Sequence, residues 1–243
     1  MINIVIPMAG LGSRFSNAGY DKPKPFIDVL GKPMIVRVIE NLSCHDARFI
    51  LIARKEHMIA EAELIKEIES NYNVIFIPID KVTEGAACTV LHAREYINND
   101  TPLLLANSDQ IVDFEIEKYI EDCSTKNADG SILTFVDKEK SPKWSFAKID
   151  EAEWVTKVQE KKVISEYATV GLYYFTKGSH FIDYAVDMIV DNERTNNEFY
   201  TCPVYNYAIK DSKKICIYNI EFEDMHGIGT PEDLNKYLEF KKQ

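Results

Sequence analysis

Ile2-Asn3-Ile4-Val5-Ile6-Pro7-Met8-Ala9-Gly10-Leu11-Gly12-Ser13-Arg14-Phe15 is a short apolar strand that runs straight into a glycine-rich turn. Such a turn presents backbone N–H groups with little side chain in the way, which is how a chain cradles polyphosphate. Two common phosphate motifs do not describe it. A dinucleotide fingerprint needs glycine where Phe15 stands, and a P-loop needs a spacing and a Lys-Ser/Thr pair that are missing. The segment Lys22-Pro23-Lys24-Pro25-Phe26 follows, so Arg14 and Lys24 add fixed positive charge beside the turn.

Outward from this stretch the pattern alternates. Strands are expected at Asn3–Pro7, Phe49–Ala53, Val74–Ile77 and Leu103–Ala106, with helices near Met34–Leu42, His57–Ser70 and Ala86–Ile97. Short all-apolar strands between amphipathic helices predict an α/β fold whose parallel sheet is covered on both faces. This is a doubly wound, Rossmann-like arrangement that binds ligands beyond the carboxyl ends of its strands. After about residue 130, strands at Ser131–Val136, Phe146–Ile149, Val155–Gln159, Thr169–Phe175 and Lys214–Tyr218 lie closer together. With helices near His180–Val190 and Val204–Ile209, they predict a mostly parallel mixed sheet with some antiparallel pairs. No repeat, low-complexity tract or linker divides the chain, so residues 1–243 read as one domain.

With 243 residues, 46% of them hydrophobic, the chain can bury a full core. No apolar run is long enough to span a bilayer, so no membrane role is expected. Gly12, Ser13 and Arg14 cut the first apolar stretch short and no basic region precedes it, so no signal peptide is expected. Cys44, Cys88, Cys123, Cys202 and Cys216 are scattered and lack C-x-x-C spacing, which fits a reduced, cytoplasmic protein without a zinc or disulfide framework. A net charge of −11 argues against a broad grip on nucleic acid. Within residues 1–40, however, Arg14, Lys22, Lys24, Lys32 and Arg37 outnumber Asp21, Asp28 and Glu40, so the local balance suits an anionic ligand.

Gly10 to Phe15 with Pro23-Lys24 resembles the signature G-x-G-[ST]-R-[LF] followed by P-K of the nucleotidyltransferases that make nucleotide-sugars, the sugar-1-phosphate nucleotidylyltransferases. The likeness runs on to Gly229-Thr230-Pro231-Glu232-Asp233-Leu234. It implies a nucleotide-binding half (1–130), an acceptor-binding half (131–243), and transfer of a nucleotidyl group from an NTP to a phosphorylated acceptor with release of pyrophosphate. Met8, Ala9, Gly10, Gly12 and Ser13 would cradle the nucleotide, and Arg14 and Lys24 would meet its phosphates. Gly85 and Ala86, in Thr83-Glu84-Gly85-Ala86-Ala87-Cys88, resemble the segment that opens a helix against the nucleobase. Asn107 and Asp109 end the strand Leu103–Ala106, where the family places an acidic Mg²⁺ ligand. A carboxylate at a strand's carboxyl end suits that ion, with the capping of a following helix as the alternative. In the second half Glu160 and Lys161 resemble the family's E-K acceptor contacts, Gly171 the glycine on which an acceptor lies, and Glu198, loosely, an acidic contact. A homodimer is a further implication of the resemblance.

One departure stands out. The family usually shows D-[IV]-G-T-P, and here Gly227 occupies the Asp position in Asp224-Met225-His226-Gly227-Ile228-Gly229-Thr230-Pro231. The second Mg²⁺ ligand is then Asp224, His226 or no side chain at all. The acceptor is a sugar 1-phosphate by default, with a cytidylyl transfer to a non-sugar phosphate ester as the near alternative. No long left-handed β-helix is expected, because the segment after Gly229-Thr230-Pro231 is short. Two other classes compete. In a GT-A glycosyltransferase Asn107-Ser108-Asp109 would imitate the D-x-D loop; a non-catalytic nucleotide-binding regulatory module would explain Gly227.

Overall fold

The computed structural model describes residues 1–242. The first strand, β1 (Ile2–Pro7), is buried almost throughout because β-branched side chains cover both of its faces. A small ribbon, β2 (Asp28–Val29) and β3 (Lys32–Pro33), follows the Lys24 segment. The strands β4 (Ala47–Arg54), β5 (Val74–Ile79) and β6 (Leu103–Ala106) then add to β1 in parallel, in the order β6-β1-β4-β5. After β6 the chain makes a short ribbon strand, β7 (Gln110–Val112), and a helix at Ile116–Thr125. The remaining strands are β8 (Gly130–Val136), β9 (Ser145–Ile149), β10 (Val155–Glu160), β11 (Tyr167–Phe175), β12 (Ile215–Ile220) and β13 (Met225–Gly227).

The long strand β11 joins the two halves of the chain into one nine-stranded sheet. It runs antiparallel to β6, to β8 and, over Tyr167–Ala168, to β9, and β9 carries β10. β8 pairs in parallel with β12. Between Thr169 and Tyr173 the register of β11 slips, and Gly171 sits in the slip with φ +98°, a bulge that bends the strand. Outside the sheet, β13 pairs antiparallel with β7, bringing Gly227 opposite Gln110. Apolar side chains pack on both faces. One core gathers Ile4, Phe15, Phe26, Met34 and Tyr119, and the other Val5, Ala87, Phe181 and Tyr205. The predicted α/β, doubly wound, mostly parallel mixed sheet is the fold observed.

Several predicted boundaries shift for local reasons. The helix expected over His57–Ser70 is two, Lys55–Ala60 and Ala62–Asn71, broken at Glu61, which leaves helical geometry at φ −113°, ψ 32°. The helix expected over Ala86–Ile97 is tightened by a 3-10 turn at Leu91–Ala93. Three further helices among the described residues lie outside the predicted set, the short Ser13–Asn17 and two longer ones. Ile116–Thr125 buries Ile116, Tyr119 and Cys123 at helical spacing, and Pro231–Phe240 begins with Pro231 behind Thr230, whose hydroxyl accepts from the Asp233 N–H at 3.1 Å. Among the described residues no helix is long and apolar enough to cross a membrane.

Candidate active site

The cleft lies beyond the carboxyl ends of β1 and β6. At the end of β1, Met8 and Ala9 belong to the two cores and are 3% and 5% exposed. What they can offer a ligand is backbone. Gly12 turns the chain with φ +63°, and its carbonyl accepts from the N–H groups of Phe15 and Ser16, starting the short helix Ser13–Asn17. Phe15 anchors that helix, buried and edge-on to Tyr20. A Cβ on Gly12 would lie 3.1 Å from the Cβ of Lys24, so this glycine is needed for the Lys24 segment to approach. Gly10 differs: a Cβ there would meet nothing within 4 Å. Its surroundings are open, and Leu11, Ser13 and Arg14 beside it are exposed.

Lys24 lies in a 3-10 turn (Lys24–Phe26) that seats Pro25 and Phe26 in the core. Its Nζ reaches the Asp109 carboxylate at 2.5 Å across 85 positions of sequence. Asp109 leads into β7 and not into a helix, so it is no helix cap. It is fixed from three sides, by Lys24, by the Ile228 N–H donating to its backbone carbonyl, and by Gly229, where a Cβ would stand 2.3 Å from Oδ2.

The candidate second ligands are committed elsewhere. Asp224 accepts from the Glu221 N–H in a capping box, and His226 Nε2 lies 2.8 Å from Asp113 Oδ2 with its ring stacked on Phe240. Among the described residues no three His, Cys, Asp or Glu side chains gather as a metal cluster. The donor set therefore fits Mg²⁺ only in the form that takes one protein carboxylate and completes its shell with phosphate and water, a form this ion commonly adopts.

A cavity of about 870 Å³ opens beside Asp109, walled by Arg14, Gln110, Trp144, Gly227 and Thr230 among others. Gly227 has open space around it, since a Cβ there would meet nothing within 4 Å.

Gly85 and Ala86 do open a helix, Ala86–Val90. The glycine also meets an internal requirement. Its φ is +131°, and a Cβ would stand 2.4 Å from the Phe199 carbonyl oxygen. Phe199 is clamped there, its N–H donating to the Glu84 carbonyl and its carbonyl accepting from the Ala87 N–H. Arg194 reinforces the clamp with a 2.6 Å ion pair to Glu84 and its guanidinium over the Phe199 ring. Cys88, half-buried beside Glu84, has its thiol pKa pushed up first by burial, which suits a packing residue and not a nucleophile. Gly171 also makes room for a neighbour in the chain, since a Cβ would come within 2.1 Å of Asn107 Nδ2.

Of the other second-half candidates, Glu160 ends β10 and Lys161 follows it, beside the start of β9. Glu160 is 8% exposed and accepts a short hydrogen bond from the Ser145 hydroxyl. Burial raises its pKa, and the Ser145 hydroxyl and the Lys161 charge oppose that rise. Lys161 follows with φ +51° and places Nζ 2.6 Å from the Tyr200 hydroxyl, which raises the ammonium's pKa. Glu198 lies near enough to act on Glu160, Lys161 and Tyr200 through its charge. Ser145, Tyr200 and Gln110 are site residues that the sequence does not single out. Ser145 and Tyr200 make bonds spanning 15 and 39 positions, and no local pattern announces such pairs.

Residues 4–242 match the family model for nucleotidyl transferases. The chain is 27% identical over 237 residues to a mannose-1-phosphate guanyltransferase of Yarrowia lipolytica, covering 94% of this chain and 61% of that one. It is 26% identical over 242 residues to the bifunctional protein GlmU of Methanococcus vannielii, covering 96% of this chain and 53% of the relative. The chain thus spans little more than half the length of these curated relatives. Among solved structures, a nucleoside-diphosphate-sugar pyrophosphorylase from Vibrio cholerae RC9 superposes with a TM-score of 0.82 at 24% identity, covering 97% of this chain and 99% of the other.

Proposed function

The chain belongs to the nucleotidyl transferase family, and from that premise we propose that it transfers a nucleotidyl group from an NTP to a sugar 1-phosphate, releasing pyrophosphate. The names of the relatives, a mannose-1-phosphate guanyltransferase among them, favour a sugar phosphate as the acceptor. The observation that carries the reading is the Lys24–Asp109 ion pair, set beside the open Gly10 turn and Arg14 at the strand ends.

In this reading residues 1–130 hold the nucleotide and residues 131–243 the acceptor. A phosphate oxygen of the acceptor attacks the α-phosphorus in line, and pyrophosphate departs on the opposite side. The acceptor phosphate is already ionised at neutral pH, so no general base is required. Orientation and charge neutralisation carry the catalysis, and orientation alone can supply ~7–11 kcal/mol. The N–H groups of Gly10, Gly12 and Ser13 and the charges of Arg14 and Lys24 bind the triphosphate. Glu160 accepts from acceptor hydroxyls, which its buried, Ser145-held carboxylate is oriented to do, and Lys161 holds the acceptor phosphate. Asn107, which packs on Gly171, belongs in this reading to the nucleotide site. Mg²⁺ bound at Asp109 would supply positive charge to the phosphate oxygens.

The test is pyrophosphate release from CTP, UTP, GTP, ATP and dTTP, each offered with a panel of sugar 1-phosphates and small phosphate esters in the presence of Mg²⁺. Release with one NTP, dependent on an acceptor and strongly reduced in Lys24→Ala, is the expected result. Transfer from a nucleotide-sugar to an acceptor without pyrophosphate release would replace this reading with a glycosyltransferase.

A further inference from the structure

Gln110 directly follows Asp109, and three observations bear on it together. It is 9% exposed, its amide Nε2 is enclosed without a hydrogen-bond partner, and it lines the 870 Å³ cavity. A buried amide donor left unsatisfied is costly and uncommon in folded proteins. Its backbone is not free to move away. β7 is held by β13, and Asn41 grips Val112 from both sides, accepting from its N–H at 2.9 Å and donating to its carbonyl at 2.8 Å.

The walls of the cavity say which ligand would satisfy it. Arg14, which in the proposed reaction meets the phosphates, lines the space; the charges of Lys143 and Lys236 there are balanced by Glu223 and Asp233, and Asp109 forms part of its wall. The acceptor candidates Glu160, Lys161, Gly171 and Glu198 are not among the residues that line it. An in-line displacement keeps attacking and leaving groups on opposite sides of the reacting phosphorus. The cavity that holds the phosphate-binding Arg14 and none of the acceptor residues is therefore assigned to the leaving side.

Resting on the nucleotidyl-transfer reading, we propose that Gln110 binds the leaving group, its carboxamide donating to an oxygen of the pyrophosphate that leaves through the Arg14-lined cavity. A half-turn of the side-chain amide exchanges its oxygen and nitrogen at little cost, so the donor can face the ligand. A neutral amide suits this position, because it binds an anion without adding charge against the Lys24–Asp109 pair.

Calorimetric titration of the full chain with inorganic pyrophosphate and Mg²⁺ tests the assignment, using wild type, Gln110→Leu and the isosteric Gln110→Glu. CMP, UMP, GMP, AMP and dTMP serve as probes of the rest of the nucleotide site, and the melting temperature of each variant checks its fold. Gln110→Leu is expected to weaken pyrophosphate binding at least tenfold and Gln110→Glu more, with the affinity for the preferred monophosphate within twofold of wild type. In pyrophosphorolysis the KM for pyrophosphate should rise more than kcat falls. Variants that bind pyrophosphate as wild type does, while transfer persists, would overturn the role of Gln110 and leave the reaction standing. Equal weakening of pyrophosphate and monophosphate would overturn it too, as a structural effect. A wild-type chain that binds neither pyrophosphate nor any NTP would overturn both readings.

Discussion

The two sets of candidate residues, taken as the two walls of the proposed site, are built by different means. On the β1 side, position is set by backbone: Gly12 with φ +63°, the 3-10 turn at Lys24–Phe26, and Gly229 pressed against Asp109. On the β9–β10 side, position is set by side-chain hydrogen bonds between distant residues, Ser145 to Glu160 and Lys161 to Tyr200. The first kind of wall tolerates almost no change in residue type at its turns. The second depends on pairs, each of which can be cut by removing one hydroxyl.

The largest expected effect falls on the first wall. Lys24→Ala removes the positive charge that meets Asp109 and, in the proposed reaction, the phosphates. Loss of one positioned donor of this kind lowers kcat by ~10²–10³-fold, about 3–4 kcal/mol. Steady-state pyrophosphate release measures it, with circular dichroism to check the fold. A loss of less than fivefold would mean that backbone groups alone hold the triphosphate, and the contrast between the walls would need redrawing.

Gly85→Ala comes next and acts through folding. The new Cβ would meet Phe199 backbone atoms at 2.4 and 2.5 Å, in a conformation with φ +131° that L side chains rarely adopt. The clamp of Glu84 and Ala87 on Phe199 must open, at a cost of ~1–3 kcal/mol in urea unfolding. An unchanged midpoint would show that the Phe199 segment yields freely and does not pin the Ala86–Val90 helix.

The unequal construction explains what the sequence reveals by itself. The Gly10–Phe15 turn, Lys24 and Asp109 are legible because glycine and proline leave a local trace wherever the backbone is forced, and short apolar strands lead into the turn and into Asp109. Gly85 and Gly171 are legible as special positions, and each makes room for a neighbour within the chain, Phe199 and Asn107, that no local pattern announces. Ser145, Tyr200 and Gln110 leave no trace, since a lone Ser, Tyr or Gln looks the same whether or not a segment 15 or 39 positions away delivers a partner. The ribbon of β7 and β13, three residues each, is too short for any hydrophobic period to be counted.

On the second wall the Ser145–Glu160 pair gives a pH signature. Removing the hydroxyl in Ser145→Ala leaves a buried carboxylate short of a donor and should cost ~1–3 kcal/mol at neutral pH. Glu160→Gln should do the reverse, because burial raises the carboxyl's pKa in the folded chain. With a folded pKa above the usual 4.5, the folded state holds the proton more tightly than the unfolded one. Stability conferred by the protonated form is then lost as pH rises from 4.5 through the folded value. Glu160→Gln should therefore melt higher than wild type at pH 8, and the advantage should shrink as the pH falls toward 4.5. A gap independent of pH would mean that Glu160 is not the titrating group.

The smallest effect is a gain, and it asks whether the backbone-built wall still has the shape for a second carboxylate. Gly227 lies opposite Gln110 in the ribbon, and the neighbouring Ile228 N–H donates to the Asp109 carbonyl. A Cβ at 227 meets nothing within 4 Å, and the position is not among those with positive φ, so Asp can be accepted there without strain. If the wall's geometry resides in its main chain, Gly227→Asp adds a carboxylate beside Asp109 while leaving the ribbon unchanged. Mn²⁺, followed by its paramagnetic resonance, should then bind about tenfold more tightly, equivalent to ~1.4 kcal/mol. The added carboxylate attracts a divalent ion across a solvent-open space, so the gain should be largest at low ionic strength and shrink as salt screens that attraction. Affinity unchanged at every salt concentration would mean that the ion approaches Asp109 from the side away from β13, and that the open space at Gly227 serves a substrate and not a metal.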